Sequence, residues 1–392
     1  MDGKTRILHV VQAAGGVDRY LRMLLKYLDK EKFENIVILS QDFQKQDYLG
    51  LVDYYETVEM QRSIGKQDCI AICKVRELIK KYNPDIVYAH SSKAGAIVRI
   101  ADIGLNNHCI YNPHGWAFNM KISSKKQKLY EMIEKLAAPF CEKIICISDA
   151  EKESALKKNI CAENKLQVIY NGIDIKEYEN GENGNVMREE LGIPEDAIVI
   201  GMVGRISQQK APDIFIRAAR IIKNSIPKAF FTIVGNGEME DEVKQYAKEN
   251  GLEESLLITG WVQNPLDYIK IFDVAMLLSR WEGFGLVLPE YMVSGKPIVA
   301  TECDAIPYII EDGENGLLVD VDDPVSAANA TVKICKNDRL RGKLIENGKI
   351  IVRQKFDAKR MAEESEMLFL EMVSPNNEVK ELEKIKGENR LK

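Results

Sequence analysis

The chain has 392 residues, 45% of them hydrophobic and 29% charged, with a formal net charge of −6. That length exceeds what one core usually serves, so two domains are expected. The acidic balance argues against a nucleic-acid protein, which would carry a basic field. The charge is uneven, however: the first 180 residues are slightly basic on balance and the rest are acidic.

The N-terminus runs from Met1-Asp2-Gly3-Lys4 into TRILHVV, too short an apolar run for a signal sequence. No window approaches the roughly 20 apolar residues of a spanning helix. A cytoplasmic location is therefore expected. The eight cysteines include no C-x-x-C pair and several fall in apolar runs such as KIICIS. They read as reduced core thiols, and no metal site is expected.

Short apolar runs alternate with amphipathic stretches along the first half. RILHVVQ, NIVILS, DIVYAH, CIYNPH, KIICIS and LQVIY read as strands, with helices over 17–28 and 69–82 among the segments between them. This alternation predicts βαβ units around a parallel sheet. Residues 176–195 are polar and rich in Gly and Asn, which marks a linker. The alternation then resumes with IVIGMVG, FFTIVG, LLITG, VAMLL, PIVAT and GLLV, and with helices over 213–223 and 238–249 among the connections. The expected organisation is a domain over 1–175, the linker, and a second domain over 196–356. Two such domains facing each other would create a cleft at the carboxyl ends of both sheets, where open α/β sheets bind ligands. The charged segment 374–392 reads as a tail.

Chemistry-bearing residues cluster at expected strand ends. Glu282 and Glu290 flank Gly283, Gly285, Leu286 and Val287 in WEGFGLVLPE. A helix over 286–293 would aim free backbone N–H groups at a diphosphate, with the glycines allowing close approach. Glu290 could accept from ribose hydroxyls, with Glu282 beside a sugar. Read singly, each is more readily a solvated carboxylate than a site residue. In GMVGRISQQKAPD, Arg205 and Lys210 follow Gly204 at a strand end and could clamp a diphosphate. Gly15-Gly16 opens a helix after the first strand, but no G-x-G-x-x-G appears. His90 and His114, two of the four histidines, end strands and could meet hydroxyls, whereas His9 lies inside a strand and reads as core. Gly235 in VGNGE and Val262 in GWV end further strands and leave backbone free to read a base. Lys121, Lys125, Lys126 and Lys128 form a basic patch leading into an amphipathic helix over 123–136. That patch suits an anionic membrane surface, although a solvated helix face gives the same pattern.

Taken in order, GGVDRYL, PHG, VIYNGID, VGRISQQKAPD, VGNGE and EGFGLVLPE resemble the retaining GT-B glycosyltransferases of family 4, over roughly residues 5 to 370. The resemblance implies an α/β chain of the GT-B fold, two doubly wound Rossmann-like domains facing across a cleft, with a helix over 357–373 crossing back to the first. It implies a nucleoside diphosphate sugar as donor substrate, no cofactor and no metal. Arg205 and Lys210 would neutralise the diphosphate, and Gly285, Leu286 and Val287 would give backbone contacts. Glu290 would hold the ribose and Glu282 would face the sugar. Gly16 would approach the donor phosphate, and His114 would lie near the reacting carbon. The acceptor would sit on the first domain, with His90 and His114 as candidates, and the basic patch points to a lipid-linked acceptor at the inner membrane face. The chain departs from the family pattern after PIVAT, where Asp304-Ala305 replaces the usual Gly-Gly, and at Ala211, where Gly is usual. The expected activity is transfer of a hexose-type sugar to a hydroxyl with retained configuration, in surface polysaccharide synthesis. A GT-B-type nucleotide-sugar epimerase and an inactive nucleotide-sugar-binding protein are the alternatives.

Overall fold

The computed structural model describes residues 3–12, 14–61, 63–179 and 188–374. They form two compact units, one running to Gly172 and resuming at Ala358, the other spanning Ile173 to Asp357.

The first unit contains β1 (Thr5–Val11), α1 (Gly16–Tyr27), β2 (Phe33–Leu39), β3 (Tyr54–Thr57), α2 (Gln67–Tyr82), β4 (Ile86–His90) and α3 (Ser92–Ala101). It continues through β5 (His108–Asn112), α4 (Ser124–Ala137), β6 (Lys143–Cys146), α5 (Asp149–Lys157) and β7 (Leu166–Val168). The strands form one parallel sheet of 7 in the order β3-β2-β1-β4-β5-β6-β7. Strands buried on both faces read as continuous apolar runs, and β4 is buried at all five positions. β3 escapes the sequence reading because YYET is a short, largely uncovered edge strand with no apolar run. The order reverses between β1 and β4, where Val11 lies opposite His90. Such a switch point leaves a crevice at the strands' carboxyl ends, the usual ligand position in open α/β sheets.

The second unit contains α6 (Ile175–Glu179), β8 (Ile198–Val203), α7 (Pro212–Ser225), β9 (Ala229–Val234), α8 (Glu240–Glu249), β10 (Leu256–Ile258), α9 (Pro265–Lys270) and β11 (Val274–Leu277). It ends with α10 (Val287–Val293), β12 (Ile298–Thr301), β13 (Leu317–Val319), α11 (Pro324–Lys336) and α12 (Asp338–Lys355). Its parallel sheet of 6 strands has the order β10-β9-β8-β11-β12-β13. Here the reversal lies between β8 and β11, so the loops after those two strands own the switch point. Asn264, Asp323 and Asn337 cap α9, α11 and α12 through side-chain oxygens that accept from backbone N–H groups.

A last helix, α13 (Ala358–Val373), returns to the first unit. Phe369 packs edge-on to Phe33, with ring centroids 6.0 Å apart, and the Glu366 carboxylate accepts from the Asp29 N–H at 2.7 Å.

Two sequence expectations need correcting. The stretch 176–195 is not a plain linker. Residues 176–179 belong to α6, and Arg188 donates to the Ile271 carbonyl and the Asp273 carboxylate at 2.8 and 2.9 Å. Ile193 is buried too, so an apparently polar segment contributes to the second core. Residues 180–187 of that stretch lie outside the described residues, as does the tail beyond Ser374. The cysteines are not uniformly core thiols either: Cys109, Cys141 and Cys146 are buried, but Cys69 and Cys73 are exposed on α2. Among the described residues, no helix is long and apolar enough to cross a membrane.

Candidate functional site

In the second unit, the loops after β8 and β11 are stitched together by polar contacts. Arg280 donates to the Asp213 carboxylate at 2.6 Å and to the Gln208 carbonyl at 2.9 Å. Its backbone N–H donates to the Gln209 carbonyl at 2.8 Å, and the Gln209 amide returns a bond to the Trp281 carbonyl at 3.1 Å. This lacing brings Lys210 onto Glu282, the two side chains forming an ion pair. Ser279 donates to the same carboxylate oxygen at 3.1 Å. Glu282 is only 9% exposed, which excludes its reading as a solvated loop charge. Burial of a carboxylate demands partners, and Lys210 and Ser279 supply them.

Gly285 has φ of +81°, a conformation that side chains resist, and a Cβ there would stand 3.2 Å from Glu282 Cγ. The turn thus lies against Glu282 and leads into α10, which begins at Val287 rather than 286. Val287 is buried, Leu286 is half-buried, and Glu290 is 3% exposed, so Glu290 is not a solvated helix residue either. Tyr291 fastens α10 to β8 by accepting the Val203 N–H at 2.8 Å. The neighbouring strand ends are equally crowded. A Cβ at Gly235 would meet the Gly204 carbonyl oxygen at 2.1 Å, while one at Gly204 would touch the Lys210 stem at 3.5 Å. Gly204, Gly235, Lys210, Glu282 and Gly285 therefore form one connected group. Arg205 follows Gly204 with its side chain 68% exposed, 3.3 Å from Glu238. Val262, beyond β10, is half-buried next to an exposed Trp261.

The departures from the family pattern have structural consequences. Ala211 sits in the left-handed region at φ 49°, a conformation that glycine adopts without the steric cost a Cβ carries. Asp304, also at positive φ, accepts from the Glu282 N–H at 2.9 Å and anchors the Glu282 loop with its side chain.

In the first unit, the switch point carries histidines. His114 follows β5 at φ 50°, with its N–H donating to the Asn112 side chain at 2.9 Å. Its Nε2 lies 3.1 Å from His90 Nδ1, and Tyr20 packs edge-on with centroids 4.6 Å apart. Burial pulls the His114 imidazole down to about 3. His90 needs correction as an acceptor-binding candidate: it is fully buried, and both of its ring nitrogens face other imidazoles, His9 and His114. It meets the site only through His114. Gly16 is exposed at the start of α1, after Gly15 at φ 99°. Glu151, on α5, is buried and pushed up to about 8 by that burial. Its carboxylate accepts the Ile147 N–H at 2.9 Å, and its carbonyl accepts from the Trp116 indole beside the His114 loop.

Sequence reasoning missed Arg280, Asp213 and Glu151. Arg280 and Asp213 meet across 67 residues, which no local pattern encodes, whereas Glu151 had a local signal: Ser148 and Glu151 stand at the S-x-x-E spacing of a helix start, and the Ser148 hydroxyl accepts the Glu151 N–H at 3.3 Å.

Two family models cover most of the chain. One described as Glycosyltransferase Family 4 matches residues 14–177, and one described as Glycosyl transferases group 1 matches residues 185–350. The chain belongs to the family 4 glycosyltransferases of the GT-B fold. This glycosyltransferase is 29% identical to the UDP-Gal:alpha-D-GlcNAc-diphosphoundecaprenol alpha-1,3-galactosyltransferase of Escherichia coli, over 94% of this chain and 98% of the relative. It is 24% identical to the capsular polysaccharide biosynthesis glycosyltransferase CapM of Staphylococcus aureus, over 93% and 96% of the two chains. Its fold matches Anabaena HepE, crystallised with UDP and glucose, with a TM-score of 0.79 and 22% identity over 93% of this chain and 99% of that one.

Proposed function

We propose that this glycosyltransferase moves a hexose from a nucleoside diphosphate sugar to a hydroxyl of a lipid-linked saccharide, with retention of configuration, in bacterial surface polysaccharide synthesis. The observation that carries the donor reading is the Lys210–Glu282 pair at the second unit's switch point, flanked by Gly285 and followed along the chain by buried Glu290. An ammonium has three donors, so Lys210 can keep Glu282 and still hold a phosphate oxygen. Arg205, exposed and paired at 3.3 Å with Glu238, adds a second cation for the diphosphate. As the bond between the anomeric carbon and the phosphate oxygen breaks, charge grows on that oxygen. Fixed cations and the backbone N–H groups of 285–287 stabilise it where it develops. The acceptor hydroxyl forms the new bond on the same face and yields its proton to the departing phosphate. Glu282 holds a sugar hydroxyl, Glu290 the ribose, and Gly204, Gly235 and Val262 leave space for the nucleotide. Gly16 offers its backbone N–H to phosphate, and His114 accepts from a saccharide hydroxyl. No cofactor or metal has a role in this scheme.

The names of the relatives support the acceptor class, since the Escherichia coli protein acts on a diphosphoundecaprenol-linked sugar. The surface of the first unit agrees. On α4, Leu129, Met132 and Leu136 recur at helical spacing and all are exposed, beside exposed Lys121, Lys125, Lys126 and Lys128. Apolar side chains among cations suit the anionic inner face of a membrane, at about 1 kcal/mol per cation near the lipid.

The direct test is product analysis with a panel of nucleoside diphosphate sugars and a polyprenyl-diphosphate saccharide. The expected result is an acceptor lengthened by one hexose with the donor's anomeric configuration, and release of the nucleoside diphosphate. Donor conversion without acceptor, as an epimerase would give, or no turnover with any pair, contradicts it. Cosedimentation with anionic but not neutral vesicles checks the membrane contact.

A further inference from the structure

Four polar side chains run in series through the core of the first unit. The Asn35 amide oxygen lies 3.3 Å from His9 Nε2, His9 Nδ1 lies 3.2 Å from His90 Nε2, and His90 Nδ1 lies 3.1 Å from His114 Nε2. Asn35, His9 and His90 are at most 1% exposed. They come from three neighbouring strands, β2, β1 and β4, so the parallel register sets the spacing. Apolar residues would fill this space without any polar burial, so a continuous polar line through it calls for a role.

We propose that Asn35, His9 and His90 are positioning residues that fix His114 as its Nε2–H tautomer, leaving Nδ1 to accept from a saccharide hydroxyl. The proposal rests on the reading that His114 meets a sugar hydroxyl and adds what makes it competent to do so.

The direction follows from hydrogen-bond chemistry. An amide oxygen only accepts, so His9 must donate through Nε2–H. A neutral imidazole with one nitrogen protonated accepts through the other, so His9 Nδ1 takes the proton of His90 Nε2. By the same step His90 Nδ1 takes the proton of His114 Nε2. One amide thus sets three tautomers, assigned here from the network. His114 Nδ1 has no hydrogen-bond partner among the described residues.

The surroundings keep the line neutral. Tyr20 of α1 and Tyr88 of β4 are the titratable groups whose rings pack against it, and their phenols bond each other at 2.9 Å. Burial raises both phenols, so both stay protonated near neutrality. Burial likewise lowers all three imidazoles. The backbone at His114 agrees with a defined role: a non-glycine residue at φ 50° persists only where its surroundings hold it.

The test is nitrogen NMR of the full chain labelled at histidine. There are only four histidines, and His108, half-buried at the start of β5 beside exposed Glu142, serves as the reference outside the line. His9, His90 and His114 should each show a protonated Nε2 and a bare Nδ1 between about pH 6 and 8. A protonated Nδ1 at His114, or a charged imidazole in the line over that range, overturns the proposal. Kinetics supply a second readout. Gln at position 90 can accept from His114 through its amide oxygen and donate to His9 through its amide nitrogen, whereas Phe can do neither. His90→Phe should lower kcat by about tenfold with little change in donor KM, and His90→Gln should recover much of that loss. Equal turnover in the two variants overturns the relay. Full turnover in His114→Ala overturns the underlying reading of His114 instead, whatever the NMR shows.

Discussion

The two switch points share a topology and differ in charge. In each unit the strand order reverses between a central strand and a later one, and two loops meet at the carboxyl ends. The second unit fills that place with ions: Lys210 on Glu282, Arg280 on Asp213, and Arg205 near Glu238. The first fills it with neutral imidazoles bonded in series, flanked by phenols and amides. The fold decides where a ligand sits, and the side chains decide what kind. A charged crevice suits a diphosphate whose leaving charge must be met, and a neutral one suits hydroxyls that need direction rather than charge.

That contrast can be broken first at its charged side. Lys210→Met, which keeps much of the stem, should lower turnover by about 10²-fold or more, as removal of one donor to a developing oxyanion does elsewhere. Arg205→Ala should act in the same direction. Steady-state kinetics with the matched donor and acceptor would check both, and full activity in both would remove the charged half of the comparison.

The neutral side should be visible in acid stability. His9 lies at about 4 and His114 at about 3, whereas the unfolded chain titrates near 6.5. Between those values the unfolded chain binds more protons, so stability falls as pH drops from about 6.5 toward 4. Each histidine contributes a slope of up to about 1.4 kcal/mol per pH unit. Glu151 acts oppositely. Its folded value of about 8 exceeds the ordinary 4.5, so its contribution declines as pH rises through that window. Denaturant titrations at stepped pH should then place the first unit's maximum stability near pH 6.5. A flat profile from there down to pH 4 would mean that the imidazoles are not buried neutral.

The smallest effect concerns Ala211. Its φ of 49° carries the left-handed penalty, so Ala211→Gly should stabilise by up to about 1 kcal/mol. A denaturant midpoint that fell instead would show that packing of the Ala211 methyl outweighs the strain.

The sheets were legible in sequence because buried parallel strands are apolar runs, and each quoted run matches a strand to within two residues at either end. β3 was not, since an uncovered edge strand needs no apolar pattern. Glu282, Lys210 and Glu290 could be picked out by spacing and resemblance, but the pairing of Lys210 with a buried Glu282 could not. It depends on Arg280 and Gln209 lacing two loops that lie some 70 residues apart. His9 illustrates the reverse. It reads correctly as a strand-interior residue, yet its bonds to Asn35 and His90 appear only when register sets three strands side by side. Pattern yields position along an element, whereas partners come from topology.

The most direct measurement is calorimetric titration of the matched nucleoside diphosphate into the wild-type protein and Lys210→Met. The account predicts that the wild type binds and that the variant loses at least about tenfold in affinity. Equal affinity in both would contradict it, because the second unit would then be recognising something other than the diphosphate with Lys210.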